Sequence, residues 1–207
     1  MLAIVISSCD KHSFLWDGWS HYFQNWTYDY PVYFLTETKE APVKTIKVNI
    51  PDVNLWTKRI RKSIEQIPED NIFFMTEDVF ITSKFKDFDK IYKTFKTINA
   101  DSLRIRRMPS KYTTLHDTIF KINGNFLKKL DQKSKYLIAY SPNIFKKSFL
   151  LECLKHDETI WQSETKGSRR LEGKGYNIYS YLKPNWYGNA CRKGKITPEG
   201  KKLLNYG

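Results

Sequence analysis

The sequence predicts an α/β fold, with one domain over residues 1–207 and a mostly parallel central sheet flanked by helices. Two observations support this class. Apolar runs of strand length alternate with amphipathic helical segments, and the runs are apolar on both faces, as in the central strands of a parallel sheet. With 41% hydrophobic and 15% aromatic residues, the chain is also apolar enough to fill one substantial core.

The individual elements are predicted from periodicity and from helix-start signals. The expected strands cover residues 2–8, 31–36, 45–48, 72–75, 102–106, 118–122 and 136–140. The expected helices cover residues 14–26 with Ser13 as N-cap, a stretch with Trp56, Ile60, Ile64 and Ile67 on one face, 85–98, a segment from Pro142 to about residue 155, and 198–204 with Pro198 at its first position.

The segment 71–81 is the most informative stretch of the chain. An apolar strand runs into two adjacent carboxylates, Glu77 and Asp78, and the sequence then becomes apolar again. Because burying an unpaired carboxylate is costly, both are expected just past the carboxyl end of the strand, where open α/β sheets bind ligands. Two carboxylates there can hold a divalent cation, and the cation can hold a diphosphate. A strand followed by a polar turn is the alternative interpretation.

Composition restricts the class of protein further. The three cysteines, Cys9, Cys153 and Cys191, are widely spaced and lack CxxC pairing, which predicts reduced thiols in a cytoplasmic protein, with neither a disulfide framework nor a zinc site. No apolar stretch approaches the roughly 18 residues of a membrane span. The first eight residues are too short for a signal-peptide core and are interpreted as a strand.

The formal net charge of +13 requires an anionic partner or surface. Nucleic acid, a nucleotide diphosphate and an anionic membrane all satisfy that requirement. The sequence has no basic tail, zinc-finger spacing or RNP-like aromatic motif, so nucleic-acid binding rests on charge alone and is disfavoured. A solvated basic face is the ordinary explanation for most of the lysines.

Several short motifs occur in order along nearly the whole chain. They are VISSCDK at 5–11 with Trp16, PVYFLT at 31–36, WTKR at 56–59, FFMTEDVF at 73–80, YSPNIF at 140–145, WQSE at 161–164 followed by Gly167 and Ser168, and Gly194-Lys195. In this order and spacing they resemble a group of small GT-A-fold glycosyltransferases found in bacterial surface-polysaccharide clusters and in large DNA viruses. One departure is that Glu77 and Asp78 are adjacent where a typical GT-A enzyme has Asp-x-Asp.

The resemblance implies that the chain transfers a sugar from a UDP-, dTDP- or GDP-linked donor to a hydroxyl of a glycan or a lipid-linked acceptor, with Mn²⁺ or Mg²⁺ as cofactor. Strand–helix alternation in the first half and shorter strands later suggest a donor-binding half over about residues 1–100 and an acceptor-binding half over about 101–207. Acceptors of this kind, together with the charge of +13, suggest a cytoplasmic protein with peripheral contact to an anionic membrane, for example through Lys128, Lys129, Lys146 and Lys147. A nucleotidyltransferase is the alternative enzyme, but the first strand is not followed by a phosphate-cradling glycine-rich loop.

Candidate donor-binding residues follow from this chemistry. Asp78 is the expected metal ligand, with Glu77 beside it. Ser8, Cys9 and Asp10 follow the first strand, where such folds place a nucleotide, although turn and helix-cap chemistry is an equal alternative. The further donor-side candidates are four basic residues, for which surface or structural roles are the alternatives: Arg59, Arg104, Lys193 and Lys195.

The second half of the chain supplies the candidates for a catalytic base. Asp157, Glu158 and Glu164 lie around Trp161, and a neighbouring aromatic ring can raise the pKa of a carboxyl by desolvation. Trp161 offers an apolar wall to an acceptor sugar, or is an ordinary core residue. His12 follows the first strand and can approach the nucleotide, but none of the histidines has metal-ligand spacing such as HxxxH.

Overall fold

The computed structural model describes residues 1–24, 29–82, 88–105, 117–182, 187–192 and 194–205. The strands in this part of the chain are β1 (Leu2–Ser7), β2 (Val32–Thr36), β3 (Thr45–Lys47), β4 (Asn71–Thr76), β5 (Val79–Ile81), β6 (Ser102–Arg104), β7 (Thr118–Ile122), β8 (Asn125–Lys129), β9 (Asn143–Lys146), β10 (Ile178–Tyr181), β11 (Tyr187–Asn189), β12 (Cys191–Arg192) and β13 (Lys195–Ile196). The α-helices are α1 (Trp16–Phe23), α2 (Trp56–Ile64), α3 (Phe88–Thr97), α4 (Lys147–Cys153), α5 (Ile160–Leu171) and α6 (Pro198–Leu203). Short 3-10 helices cover Asp10–Leu15 and Val53–Leu55.

A nine-stranded sheet in the order β3-β2-β1-β4-β9-β6-β10-β8-β7 forms the centre of the molecule. Strands β3, β2, β1 and β4 are parallel, β9 runs antiparallel between β4 and β6, and β6 is parallel to β10. The carboxyl ends of β1, β4, β6 and β10 therefore lie at one edge of the sheet. The predicted α/β class with a mostly parallel sheet is confirmed.

Helices cover both faces of the sheet because β1 and β4 are apolar on both sides. Ile4 and Ile6 of β1 pack in one core cluster with residues of α1 and α3. Ala3 and Val5 point to the other face and pack in a second cluster with residues of α2, α4 and α5. All six residues of β1 are buried, which is the environment that its uninterrupted apolar sequence predicts.

The first helix begins later than predicted. Residues 10–15 form the 3-10 helix, so α1 starts at Trp16 and Ser13 is not its N-cap. Short 3-10 turns of this kind are frequent at the N-termini of α-helices. Trp26, at the predicted end, lies outside the described residues.

The segment 136–140 is not a strand, contrary to prediction. Its backbone N–H groups bond to side chains of α5 instead of to a neighbouring strand: Ile138 N–H donates to Ser168 Oγ at 2.9 Å and Tyr140 N–H donates to Glu164 Oε1 at 3.1 Å. The strand at this place in the chain is β9, which the sequence analysis assigned to a helix, and α4 starts only at Lys147. Helix α5 itself was not predicted, although Thr159 and Gln162 form a capping box at its start.

The C-terminal residues fold back onto the edge where β4 ends. Strand β11 pairs with β5, and Ala190 N–H donates to the carbonyl oxygen of Asp78 at 2.8 Å. Helix α6, predicted at 198–204, is confirmed and is capped by Thr197, whose hydroxyl accepts from Gly200 N–H at 2.7 Å. None of the described helices is long and apolar enough to cross a bilayer.

Candidate functional site

The candidate site lies where the strand order of the sheet reverses. Strand β2 is on one side of β1 and β4 is on the other, and Ser7 at the end of β1 is in register with Thr76 at the end of β4. The crevice outside the carboxyl ends at such a switch point is the usual ligand site of an open α/β sheet. We use "the mouth" for the residues that follow these two strand ends, which are Ser8, Cys9, Asp10, His12, Glu77 and Asp78.

Glu77 is held inside the mouth by both its backbone and its side chain. Its N–H donates to Ser7 O at 3.2 Å, and its carboxylate Oε1 lies 2.5 Å from Nδ1 of His12. Burial raises the pKa of the Glu77 carboxyl, the hydrogen bond from His12 opposes this shift, and the charge of Asp78 adds to it. The hydrogen bond between His12 and Glu77 places one proton between the imidazole and the carboxylate. Glu77 is only 7% exposed.

His12 reaches Glu77 because of the 3-10 helix after β1. His12 N–H donates to Cys9 O at 2.9 Å, and residues three apart in a 3-10 helix lie on the same side. Hydrogen bonds to the side chains of Cys9 and Glu77 raise the pKa of His12 to about 10. Histidine spacing alone predicts no ligand role for His12, and the signal that identifies it is the Cys9-x-x-His12 spacing within a tight turn.

Asp78 is the more accessible carboxylate of the pair. Its Oδ1 accepts from Thr76 Oγ1 at 2.5 Å, and Thr76 in turn lies 3.0 Å from Ser141 Oγ, just before β9. The backbone of Asp78 is fixed by its hydrogen bond from Ala190. Glu77 and Asp78 therefore follow the end of β4, as the sequence predicts, but only Asp78 is partly open to solvent.

Arg59 joins the mouth from α2. Its side chain is 4% exposed, and Nη2 donates to the carbonyl oxygen of Ser8 at 2.6 Å. Its Nη1 atom is buried and has no hydrogen-bond acceptor among the described residues. Burial lowers the pKa of this guanidinium, while the charges of Glu37, Cys9, Glu77 and Asp10 oppose the shift. A buried donor without an acceptor is rare in folded proteins and requires an explanation.

Ser8 and Asp10 use their side chains within the protein. Ser8 Oγ accepts from Trp16 Nε1 at 2.7 Å. The Asp10 carboxylate accepts from the backbone N–H groups of residues 37–39 at 3.1–3.3 Å and from the Thr38 hydroxyl. Burial raises the pKa of Asp10, but these hydrogen bonds, led by the one from the Thr38 hydroxyl, outweigh burial and lower it. Neither side chain caps the 3-10 helix. Ser8 holds Trp16 at the start of α1, and Asp10 ties the start of the 3-10 helix to the loop after β2.

The other basic candidates occupy different positions along the edge of the sheet on which the mouth lies. Arg104 ends β6, is 5% exposed, and donates through Nη2 to Tyr136 O at 2.7 Å. Lys195 is exposed on β13 and stands opposite Arg192 in a hairpin that follows Ala190, the partner of Asp78. Lys193 lies outside the described residues.

The three candidate bases have distinct environments. Asp157 pairs with Arg61 at 3.2 Å and Lys58 at 3.8 Å. Glu158 is 7% exposed and accepts two hydrogen bonds from Arg170, at 2.8 and 2.7 Å, and this pairing lowers its pKa. These ion pairs give both carboxylates a structural task.

Glu164 is better placed for a role at the mouth. It is half-buried on α5 and accepts from Tyr140 N–H, and the next residue, Ser141, contacts Thr76 at the end of β4. Trp161, one turn earlier on α5, is 70% exposed and is not a core residue.

The two carboxylates of the mouth differ in their fit to Mn²⁺ or Mg²⁺. These hard cations take oxygen ligands, and Mg²⁺ is commonly held by one or two carboxylates together with substrate phosphates. Asp78 meets that requirement because its carboxylate is partly exposed. Glu77 does not, because its carboxylate is buried against His12 and near Cys9.

Comparisons with known proteins agree on the fold. No protein-family model and no characterised protein sequence matches the chain. Among solved structures, it is similar to residues 1–349 of Staphylococcus aureus TarS in complex with UDP-GlcNAc (TM-score 0.59, 11% identity, 94% of this chain and 60% of that one). It is also similar to a cytidylyltransferase from Leptospira borgpetersenii (TM-score 0.54, 12% identity, 96% and 81%) and to a glucose-1-phosphate thymidylyltransferase, assigned provisionally, from Bacillus anthracis (TM-score 0.56, 8% identity, 100% and 98%).

These similarities show the fold and no more. The chain has a GT-A-like, Rossmann-like α/β fold, and its charged mouth lies at the switch point of the sheet. It spans 38% of a longer TarS structure and 60% of the 1–349 form, which is less than two thirds of either chain. Because no family model matches, the relation to the small GT-A-fold glycosyltransferases of bacterial surface-polysaccharide clusters and large DNA viruses remains a resemblance.

Proposed function

We propose that this protein is a glycosyltransferase that moves a sugar from a nucleotide diphosphate to the hydroxyl of a glycan or lipid-linked acceptor. The observation that carries the proposal is the convergence at the mouth of a buried arginine with an unused donor and a partly exposed carboxylate. The arginine can bind an anionic donor directly, and the carboxylate can bind it through a cation. The TarS structure, described as a complex with UDP-GlcNAc, has the same fold.

Arg59 is the proposed anchor for the donor. Its Nη2 is committed to Ser8, so Nη1 remains available for a phosphate or base oxygen of the nucleotide. Lys195, on the hairpin next to Asp78, adds positive charge at the same edge and favours an anionic ligand. Arg104 lies further along the edge, where a sugar hydroxyl is its proposed partner.

Asp78 would hold Mn²⁺ or Mg²⁺ together with the diphosphate of the donor. When bound, such a cation neutralises the negative charge that develops on the leaving diphosphate. Thr76, which donates to Asp78 Oδ1, orients the carboxylate, and the backbone bond from Ala190 fixes the turn. Glu77 supports this arrangement from behind through His12.

The acceptor would enter beside α5. Glu164 is the proposed base, since Asp157 and Glu158 are engaged in ion pairs with Arg61 and Arg170. The exposed ring of Trp161 offers an apolar surface on which a sugar ring can stack.

Ligand-dependent stabilisation and donor turnover together test the proposal. UDP, dTDP and GDP are added to the protein with and without Mn²⁺, and the thermal midpoint is recorded. A nucleotide at 100 times its Kd stabilises by roughly 2.7 kcal/mol, and we expect a larger shift with the cation. Release of free nucleoside diphosphate from UDP-, dTDP- or GDP-sugars then reports transfer or slow donor hydrolysis. If no nucleotide shifts the midpoint in either condition, the proposal fails.

A nucleotidyltransferase is the second candidate, because the cytidylyltransferase and the thymidylyltransferase match over most of their own length. The absence of glycine between β1 and α1 disfavours it, since such enzymes cradle a triphosphate in a glycine-rich loop. The products distinguish the two reactions. A nucleotidyltransferase releases pyrophosphate from CTP or dTTP with a sugar phosphate, whereas a glycosyltransferase releases a nucleoside diphosphate.

A further inference from the structure

Cys9, His12 and Glu77 bring three different ligand atoms together at the mouth. A thiol sulfur, an imidazole nitrogen and a carboxylate oxygen all lie within 4.8 Å of one another. Within the described ranges, this is the only such group of three or more His, Cys, Asp or Glu side chains. The nucleotide-sugar reaction proposed above assigns no role to the thiol.

From this arrangement we propose that the chain binds Zn²⁺ through Cys9 Sγ, the His12 imidazole and the Glu77 carboxylate. Mixed sulfur, nitrogen and oxygen ligands suit Zn²⁺, whereas Mg²⁺ and Mn²⁺ prefer oxygen alone. Three protein ligands leave a fourth position for water or another small ligand, as in an open zinc site. The site is therefore different in chemistry from the hard-cation position at Asp78.

The local geometry needs only small side-chain movements to close around the ion. Zinc–ligand bonds of about 2.0–2.3 Å place tetrahedral ligand atoms roughly 3.3–3.8 Å apart. His12 and Glu77 are closer than this, at 2.5 Å, and no pair within the group exceeds 4.8 Å. Zn²⁺ would replace the proton that the imidazole and the carboxylate share, so binding releases protons. Cys9 and His12 are both partly exposed, which gives the ion a path of entry.

Binding would join two separate parts of the chain. Cys9 and His12 belong to the segment after β1, and Glu77 follows β4, so the ion would cross-link the two strand ends that form the mouth. The 3-10 turn already places Cys9 and His12 three residues apart on one side. Only Glu77 comes from a distant position in the sequence.

Titration of the metal-free full chain with Co²⁺, a spectroscopic substitute for Zn²⁺, tests the proposal without any assay of activity. We expect one equivalent of Co²⁺ to give the strong visible bands of a tetrahedral site and a thiolate-to-metal charge-transfer band, both removed by Zn²⁺. Cys9→Ser should abolish the charge-transfer band. Glu77→Gln should weaken binding by more than about 100-fold, since even partners outside the ligand shell are worth 10–100-fold.

Two matched variants control for other metal sites. His21→Asn removes an exposed histidine of α1 outside the cluster, and Asp78→Asn removes the adjacent carboxylate; both should bind Co²⁺ like the wild type. Thermal unfolding of each metal-free variant verifies folding, and Zn²⁺ should raise the midpoint of the wild type but not that of Cys9→Ser. A weak octahedral spectrum without charge transfer, unchanged binding in Cys9→Ser, or equal loss in Asp78→Asn would each overturn the proposal.

Discussion

At the scale of single residues, the mouth combines two adjacent carboxylates that the fold treats differently. Glu77 is buried against His12, whereas Asp78 is partly exposed and oriented by Thr76. Both residues lie in the turn between β4 and β5, where His12 holds the Glu77 side chain and Thr76 holds that of Asp78. The tasks we assign to them, support for Glu77 and contact with the donor for Asp78, follow from that geometry.

Asp78→Asn should abolish transfer while the protein stays folded. The substitution removes a partly exposed charge at nearly constant volume, and loss of a group that stabilises developing charge typically costs about 100-fold or more in rate. Turnover at saturating donor and Mn²⁺ measures the effect. Glu77→Gln should cost less turnover but more thermal stability, because its carboxylate is buried against His12. Unchanged turnover in Asp78→Asn would place the cation elsewhere.

Arg59→Met should weaken nucleotide binding by about 10- to 100-fold. A hydrogen bond to a charged group contributes about 1.5–3 kcal/mol, and Nη1 is the donor that the protein leaves without an acceptor of its own among the described residues. Calorimetric titration with UDP, dTDP and GDP measures the change. Lys62→Met, an exposed position of the same helix, is the matched control and should bind normally. Equal affinity in both variants would remove Arg59 from the site.

At the scale of elements, α6 and β11 shape the mouth although they come from the end of the chain. Gly200 of α6 packs so closely on the segment after β11 that a Cβ atom would lie 1.8 Å from the carbonyl oxygen of Ala190. The N–H of the same residue, Ala190, holds Asp78. The position of the C-terminal helix is therefore linked mechanically to the turn that carries the candidate cation ligand.

Gly200→Ala should destabilise the protein by about 1–3 kcal/mol, because the backbone of α6 has to move away from Ala190. Denaturant unfolding measures the difference in free energy. Gly173→Ala is the matched control: no atom lies within 4 Å of its Cβ position, and its cost of about 1–2 kcal/mol comes from its positive φ of 73° alone. Only Gly200→Ala should also weaken nucleotide binding, through the displaced Ala190. Normal nucleotide affinity in Gly200→Ala would contradict the mechanical link to Asp78.

The Glu158–Arg170 ion pair fixes the start of α5 to the body of that helix. Pairing with Arg170 holds the pKa of Glu158 below its usual value of 4.5, so the pair stabilises the folded state above that pH. Its contribution is lost as the pH falls below 4.5 toward the folded-state pKa. Glu158→Gln should therefore be less stable than the wild type at pH 7, by about 1.5–3 kcal/mol, and the difference should shrink below pH 4.5. A difference independent of pH would show that packing, and not charge, is responsible.

At the scale of the whole molecule, the charge of +13 is not a uniform basic coat. Lys128 and Lys146 pair with Asp117 and Asp101 at 3.5 and 2.9 Å, and Lys147 donates to a backbone carbonyl. Lys146 is in register with Asn71, the first residue of β4, so it lies at the edge of the sheet opposite the mouth. Docking through Lys146 would therefore turn the mouth away from a membrane.

Association with anionic membranes remains a prediction of the overall charge. Each lysine or arginine near such a surface contributes about 1 kcal/mol, and the effect decays within a Debye length of about 10 Å at 0.1 M salt. We expect co-sedimentation with phosphatidylserine-containing vesicles at low ionic strength that falls steeply with added salt. The double variant Lys128→Gln, Lys146→Gln should bind as the wild type does. Equal pelleting with neutral and anionic vesicles would favour an acceptor that is not presented by a membrane.

The sequence by itself determined which segments form buried strands and most of the helices, and it placed the two carboxylates of the candidate site. Uninterrupted apolar runs specify buried strands, and the positions of Glu77 and Asp78 after β4 follow from the cost of burying an unpaired carboxylate. Local periodicity also placed α2 and α3, and proline at the first helical position placed α6. These features depend on neighbours along the chain, so pattern alone is sufficient to predict them.

Only the tertiary structure decided which side chains meet. Glu77 contacts His12 across 65 residues and Arg59 bonds to Ser8 across 51, and no periodicity reports such separations. Distant partners also decide the backbone conformation of the segment 136–140 and of β9, which local patterns predict incorrectly. Their backbone partners, side chains of α5 in one case and β4 and β6 in the other, exist only once the chain has closed on itself, so distant hydrogen bonds override local strand and helix preferences.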